Sequence, residues 1–260
     1  MAFQNLLVDD AGRVRTITVN RPDKLNALNR ETIAELRLAF DQAKHDDAVR
    51  VVVLKGAGPK AFVAGADISE LNRLTPVQAL ESSRRGQALM QAVERLGKPV
   101  LCQVGGYALG GGMELAMSCS LRIASEQAKF GQPEINLGVI PGFGGTQRLL
   151  RLAGRAAALE LCLLGNQITA ARAYELGVVN RVVPADQLDE TVQKLAAQLA
   201  QAAPHALRGI LDAVQIGGEA ALEVGLDYES QAFAVCFATE DMREGTSAFL
   251  EKRAPSFKGA

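Results

Sequence analysis

Two glutamates in this chain stand beside glycine-rich segments, a setting in which a carboxylate can serve as an acid or a base. Glu114 follows the run Gly110-Gly111-Gly112, and Glu134 follows Phe130-Gly131-Gln132-Pro133. The triple glycine comes after an apolar run and before helix-like sequence, which predicts a sharp turn into a helix whose first amides face outward. Bare amides and the positive end of a helix dipole stabilise an anion, and the missing Cβ atoms let a ligand approach closely. Glu114 then lies about one turn inside that helix, beside whatever the amides hold. Pro133 blocks helical continuation, so Glu134 is expected to be a loop carboxylate. If folding brings the two together over one substrate, one can activate water while the other carries a proton. The amides of Ala66, at the end of a second Gly-rich segment, and of Gly111 are candidate donors to a single carbonyl oxygen. Such a pair would hold the enolate formed when a nucleophile adds to an unsaturated acyl group.

Other chemistries find less support. The chain contains no G-x-S-x-G, G-x-G-x-x-G or G-x-x-x-x-G-K-[ST], which disfavours a serine hydrolase, a Rossmann cofactor site and a P-loop. Its two histidines, His45 and His205, read as surface residues. Cys102, Cys119, Cys162 and Cys236 are scattered among apolar neighbours and form no metal-like cluster, so they read as buried reduced thiols. No metal and no redox cofactor is expected, since adding water needs no electron carrier.

At 260 residues and 48% hydrophobic, the chain can bury a large core. Lys plus Arg number 28 against 29 Asp plus Glu, for a net charge of −1, so no overall basic field invites nucleic acid or an anionic membrane. The start has no signal-peptide pattern and no stretch approaches the ~20 apolar residues of a membrane span. A soluble, cytoplasmic protein is expected.

The elements that must position these residues alternate. Residues 13–19 have period two and predict a strand ending at Asn20-Arg21-Pro22-Asp23. Asn29 predicts the cap of a helix to about Lys44, with Ile33, Leu36 and Phe40 as its apolar stripe. A buried strand, Val51 to Leu54, comes next. Asp67-Ile68-Ser69-Glu70 and Thr75-Pro76-Val77-Gln78 both match capping boxes, the second opening a helix to about Leu96. Strands are predicted at 99–104, 121–124 and 181–183, and a helix from Gln147 to Leu164 with a break at Gly154. Strand and helix recur without a fixed period, which suggests strand-strand-helix turns rather than a doubly wound sheet. Beyond Pro184 only helices are predicted, at 186–203, 205–216, 219–238 and 240–252.

Several motifs together carry a family resemblance. Ala61-Phe62-Val63-Ala64-Gly65-Ala66-Asp67-Ile68, Gly106-Tyr107-Ala108-Leu109-Gly110-Gly111-Gly112-Met113-Glu114-Leu115 and Phe130-Gly131-Gln132-Pro133-Glu134-Ile135, then Gly138-Val139-Ile140-Pro141-Gly142 and Gly144-Gly145-Thr146, resemble the crotonase, or enoyl-CoA hydratase/isomerase, superfamily. The resemblance runs in order from about Thr16 to the C-terminus.

The resemblance implies an α/β spiral of ββα turns over residues 1–185. It also implies a helical region over 186–260 that serves trimer or hexamer assembly and forms part of the acyl-CoA pocket. It assigns the oxyanion hole to Ala66 and Gly111, and catalysis to Glu114 and Glu134, in the reversible hydration of a trans-2-enoyl-CoA. Coenzyme A would be the substrate's handle, with no further cofactor. Acyl-CoA contacts are implied at Lys24, Leu25, Ala27, Ala64, Asp67, Ile68, Tyr107, Leu109, Gly110, Pro133, Pro141 and Gly142. Relatives that only isomerise usually lack one of the two glutamates, so a hydratase is favoured over an isomerase. A crotonase-type enoyl-CoA isomerase, a hydratase for aromatic or branched acyl groups and a non-catalytic binding protein are the alternatives. Gly105 departs from the Asn that many relatives carry there, which removes no group assigned to catalysis.

Overall fold

The computed structural model describes residues 3–260. Its first elements are a hairpin, β1 (Leu6–Ala11) and β2 (Val14–Val19), paired antiparallel with Leu6 opposite Val19. β1 was not expected. It is an edge strand with Leu6 as its one fully buried residue, and Asp9-Asp10 break the apolar alternation that marks a half-buried strand. α1 (Arg30–His45) starts where Asn29 accepts from the Thr32 amide at 2.8 Å, and it buries Ile33, Leu36 and Phe40 as the spacing predicts.

Each following turn supplies one strand to each of two sheets. β3 (Val51–Gly56), β5 (Val100–Val104), β7 (Leu121–Ser125) and β10 (Arg181–Val183) extend the hairpin into a six-stranded sheet ordered β1-β2-β3-β5-β7-β10, parallel beyond β2. β4 (Ala61–Val63), β6 (Tyr107–Leu109), β8 (Lys129–Gly131) and β9 (Ile168–Thr169) form a second, four-stranded sheet in that order. At two or three residues each, the strands of the second sheet are too short to show a period. β4 and β6 fall inside segments that read as glycine turns, so the Gly106–Gly110 stretch holds a short strand before its helix rather than a bare turn.

The first sheet is buried on both faces, which is why β3 reads as an unbroken apolar run. Val52 and Leu54 face the main core with Phe40, Leu89 and Met90. Val51 and Val53 face Leu188, Val192 and Ala196 on the opposite side. Of the helices between strands, α2 (Ile68–Leu71) is a single turn and α3 (Pro76–Glu94) is long, opened by the reciprocal Thr75–Gln78 capping box. The box expected at Asp67 does not form. Its carboxylate accepts from the Ser69 amide, and the Glu70 side chain turns instead to the Arg30 amide at 2.8 Å.

α4 (Gly111–Ser118) is buried along its whole length. Gly112 permits this, because a Cβ there would overlap the Val63 carbonyl of β4. α5 (Gly145–Leu164) breaks at Gly154, as expected, where φ is 79° and ψ 170°. After α6 (Ala170–Glu175) and β10 come α7 (Leu188–Gln201), α8 (Pro204–Gly217), α9 (Leu222–Cys236) and α10 (Glu240–Leu250). α7 covers the outer face of the six-stranded sheet, whereas α8 and α9 pack on each other and contain no fully buried residue.

Candidate active site

Glu114 is 1% exposed, on the first turn of the buried α4. A carboxylate in such a place needs donors, and it finds them in the third Gly-rich turn. Its Oε1 accepts from the Phe143 amide at 2.8 Å and from the Gly145 amide at 2.6 Å, which leaves Oε2 for a ligand. The turn at 140–146 is visible in the sequence but its partner is not, because the pairing spans 29 and 31 residues.

Glu134 lies not in an open loop but in a short 3-10 turn, Pro133–Leu137. Pro133 takes its first position, where a missing N–H costs nothing. The buried Gln132, with its amide nitrogen facing Glu134, donates to Oε2 at 3.0 Å and to Oε1 at 3.1 Å. Gln132 was within the motif but had no assigned role. Gly110 joins the two carboxylates: it precedes α4 at φ 49°, ψ −122°, and a Cβ on it would lie 2.6 Å from Glu134 Oε1. Gly110→Ala is therefore expected to cost about 1–3 kcal/mol in strain alone, read as a lower urea midpoint.

Ala66 and Gly111 come together. Leu28 N donates to Gly65 O and Asp67 N to Leu28 O, each at 2.8 Å, so in this parallel bridge the Ala66 N–H points away from Leu28. Gly111 is the first residue of α4, where an amide has no partner within the helix. A Cβ on Gly111 would sit 3.6 Å from the Ala66 nitrogen, which places the two segments side by side.

Both segments and both glutamates line one cavity of about 980 Å³. Ala64, Ala66, Ile68, Leu109, Gly110 and Gly111 form one part of its wall, and Glu114, Pro133, Glu134, Pro141 and Gly142 another. Further wall comes from α3, where Ser83 and Gln87 donate to the Gly142 carbonyl at 2.6 and 3.1 Å and tie the turn to that helix. Among the described residues, the lining runs from Ala64 to Gln147 and includes none from 186–260 of the same chain.

Lys24, Leu25, Ala27, Asp67 and Tyr107 lie outside this cavity. Lys24, Leu25 and Tyr107 are exposed. Leu25 and Asn26 take the left-handed conformation at φ 51° and 59°, and the buried Asn26 holds the loop by donating to Ala57 O and Ala61 O, both at 2.9 Å. Leu25 O accepts from Ala64 N at 3.0 Å, so this loop borders the cavity at Ala64, just after β4. Asp67 pairs with Arg21 at 3.0 Å. The Ser69 hydroxyl, then Arg21, hold its carboxyl below the usual range.

Burial pushes both glutamates up to about 7. For Glu114 the charge of Glu134 adds to burial, against the lowering effects of the two amide donors and of Arg148. Two carboxyls in one cavity, one buried and one half-buried, titrate as a pair, so near neutrality one can be ionised while the other is protonated. That is the state an acid–base pair requires. Burial first, and then the charges of Glu134 and Glu114, push the Cys162 thiol up to about 11, which keeps it unreactive.

The histidine and cysteine expectations fall as follows. His45 and His205 are exposed. All four cysteines are free, but only Cys102 and Cys119 are fully buried; Cys162 and Cys236 are half-buried. Among the described residues, no helix is long and apolar enough to cross a membrane, and no group of three or more His, Cys, Asp or Glu is placed to hold a metal.

Comparison with known proteins identifies the family. Residues 9–260 match the family described as Enoyl-CoA hydratase/isomerase. A short-chain-enoyl-CoA hydratase of Clostridium acetobutylicum is 42% identical, covering 97% of each chain. A crotonyl-CoA hydratase of Syntrophomonas wolfei is 41% identical over 99% of each. The crystal structure of an enoyl-CoA hydratase from Bacillus anthracis superposes with a TM-score of 0.96 at 40% identity, covering 99% of this chain and 100% of that one. With the same fold, a full-length match and the two-sheet ββα spiral, the chain belongs to the enoyl-CoA hydratase/isomerase family.

Proposed function

We propose that this enzyme adds water reversibly across the double bond of a trans-2-enoyl-CoA to give a 3-hydroxyacyl-CoA. The observation that carries the reading is the pair of glutamates, both pushed up to about 7, in one cavity with the amides of Ala66 and Gly111. The thioester carbonyl accepts from those two amides, which draws electrons from C3 and stabilises the enolate as it forms. Glu114, ionised and held by the turn at Phe143–Gly145, takes a proton from water as the oxygen attacks C3. Glu134, protonated, gives its proton to C2. Each glutamate ends in the other's starting state, so a proton must pass between them or exchange with solvent before the next turnover. No cofactor takes part: water is the second substrate and coenzyme A is the handle. The loop at Lys24–Ala27, with Asp67, Ile68 and Tyr107, borders the path by which the coenzyme would reach the cavity.

Because the base must be ionised and the acid protonated, kcat/KM is expected to peak near pH 7 and to fall on both sides. A profile that stays flat from pH 5 to 9 would contradict this pairing. The direct assay is incubation with crotonyl-CoA followed at the enoyl-thioester absorbance, which hydration abolishes. A panel of longer, branched and aromatic enoyl-CoA esters then reads the acyl preference.

A homotrimer, alone or doubled to a hexamer, is the proposed assembly, and the cytoplasm the proposed location. Supporting the first, α8 to α10 leave large apolar side chains bare, with Val214 at 72%, Leu222 at 71% and Phe249 at 83% exposure. Light scattering coupled to gel filtration reads the assembly.

A further inference from the structure

We propose that Arg148, gripped by Glu94, is a positioning residue that keeps the Phe143–Gly145 turn aimed at Glu114. The proposal rests on the reading of Glu114 as the base. The turn must present the 143 and 145 amides to one carboxylate oxygen, and the peptide between them must face the other way. The Phe143 carbonyl does so: it accepts from Arg148 Nη1 at 2.8 Å, while the Phe143 and Gly145 amides donate to Glu114 Oε1. Gly144, at φ 104°, makes this backbone possible and also easy to lose, since glycine passes readily between positive and negative φ. Something outside the turn has to select one orientation, and Arg148 is the group bonded to the carbonyl that would move.

The rest of the guanidinium is fixed as well. Arg148 Nε donates to Glu94 Oε1 at 2.6 Å and Nη2 to Glu94 Oε2 at 2.9 Å, a two-point grip from α3, with the side chains 15% and 23% exposed. A Cβ on Gly144 would occupy the guanidinium's place, so the arginine lies directly against the turn. Helix stability does not explain an arginine here. Arg148 is in the first turn of α5, where the helix dipole disfavours a cation.

Arg148 also completes the charge balance around the base. The groups acting on Glu114 are Glu134 from the 3-10 turn, the amides of Phe143 and Gly145, and Arg148 from α5. Glu134 raises Glu114, and the others lower it. The Cys162 thiol on α5 stays neutral, and Glu94 on α3 is bound to Arg148. Taking the guanidinium away therefore removes a nearby positive charge and frees the two amides to swing, and both changes favour the protonated carboxyl.

The test compares kcat/KM against pH for the wild type, Arg148→Met, Arg148→Gln and Arg148→Lys. It is paired with carbon-13 NMR titration of glutamate carboxyls in a Glu134→Gln background, where the Glu114 signal is the one that Glu114→Gln removes. Arg148→Met is expected to lose about 10- to 100-fold at pH 7, mainly in kcat, with the acid limb moved upward by about one pH unit. The loss then shrinks to several-fold at pH 9. Arg148→Lys keeps the charge and is expected to restore the position of the limb. Arg148→Gln keeps a donor but drops the charge, and it carries the same upward expectation should Arg148→Met not fold. A profile that superimposes on wild type after scaling, or a loss confined to KM, overturns the proposal. The NMR titration needs no substrate. An unmoved Glu114 signal overturns the clamp even if hydration is observed, whereas a wild type inactive on enoyl-CoA with a moved signal overturns the hydratase reading and leaves the clamp standing.

Discussion

Glu114→Gln and Glu134→Gln are each expected to lower kcat by about 10²- to 10⁴-fold, the range a positioned proton carrier contributes. Neither change removes packing, since Gln fills the same volume and keeps a carbonyl oxygen for the Phe143 and Gly145 amides. Stability should move the opposite way from activity. The folded-state pKa of Glu114 is raised by burial to about 7, so its carboxyl favours folding fully only below the ordinary carboxylate range, and that contribution is lost as pH rises through 7. At pH 8 the wild type therefore holds an ionised buried carboxylate at a cost of about 3 kcal/mol, by the ~1.4 kcal/mol per pH unit of linkage over the rise from 4.5 to about 7. Glu114→Gln removes that cost, so at pH 8 the variant should unfold at higher urea than wild type, and at pH 4 the difference should close. A variant that loses both activity and stability at pH 8 would mean that the carboxylate is a structural anchor. The same comparison applies to Glu134→Gln with a smaller gain, because Glu134 is only half-buried.

The second large effect concerns an N–H group rather than a side chain. Replacing Ala66 with lactic acid puts an ester oxygen where the amide N–H stood and changes nothing else in size. The bridge bonds of this segment keep their partners, Leu28 N to Gly65 O and Asp67 N to Leu28 O, and only the first is weakened, because the Gly65 carbonyl becomes the ester's. If the Ala66 N–H holds the developing enolate, kcat should fall about 10²- to 10³-fold while the urea midpoint stays near that of wild type. A substituted protein of unchanged kcat would remove Ala66 from the oxyanion hole and leave Gly111 to act with some other donor.

Much of the site was legible in the sequence because it is built from local signals. The glycine run, the helix it opens and the carboxylate one turn in are all encoded between Gly105 and Leu115, and Asn29 and Thr75 cap their helices with the partners their spacing predicts. Local signals mislead where two partners compete for one group. Glu70, placed to complete a box on Asp67, binds the Arg30 amide 40 residues away instead.

What the sequence concealed lies in contacts between segments far apart in the chain. That the 143–145 turn feeds Glu114, that Gln132 orients Glu134 and that Arg148 reaches Glu94 across 54 residues are all products of the spiral, which stacks successive turns. The second sheet was hidden for a different reason. Strands of two or three residues leave no periodicity, and Gly106 and Gly112, which look like turn residues, are there to let backbones cross where a Cβ would overlap Lys60 or Val63.

The most direct test of the account is isotopic. Wild-type protein incubated with crotonyl-CoA in deuterated, oxygen-18-enriched water should give 3-hydroxybutyryl-CoA carrying oxygen-18 at C3 and a single deuterium at C2, read by mass spectrometry and proton NMR. The same incubation with Glu114→Gln should leave crotonyl-CoA essentially unchanged. Deuterium entering without oxygen would contradict hydration and point to proton shuttling alone, and oxygen-18 product formed by Glu114→Gln at the wild-type rate would contradict the assignment of Glu114 as the base.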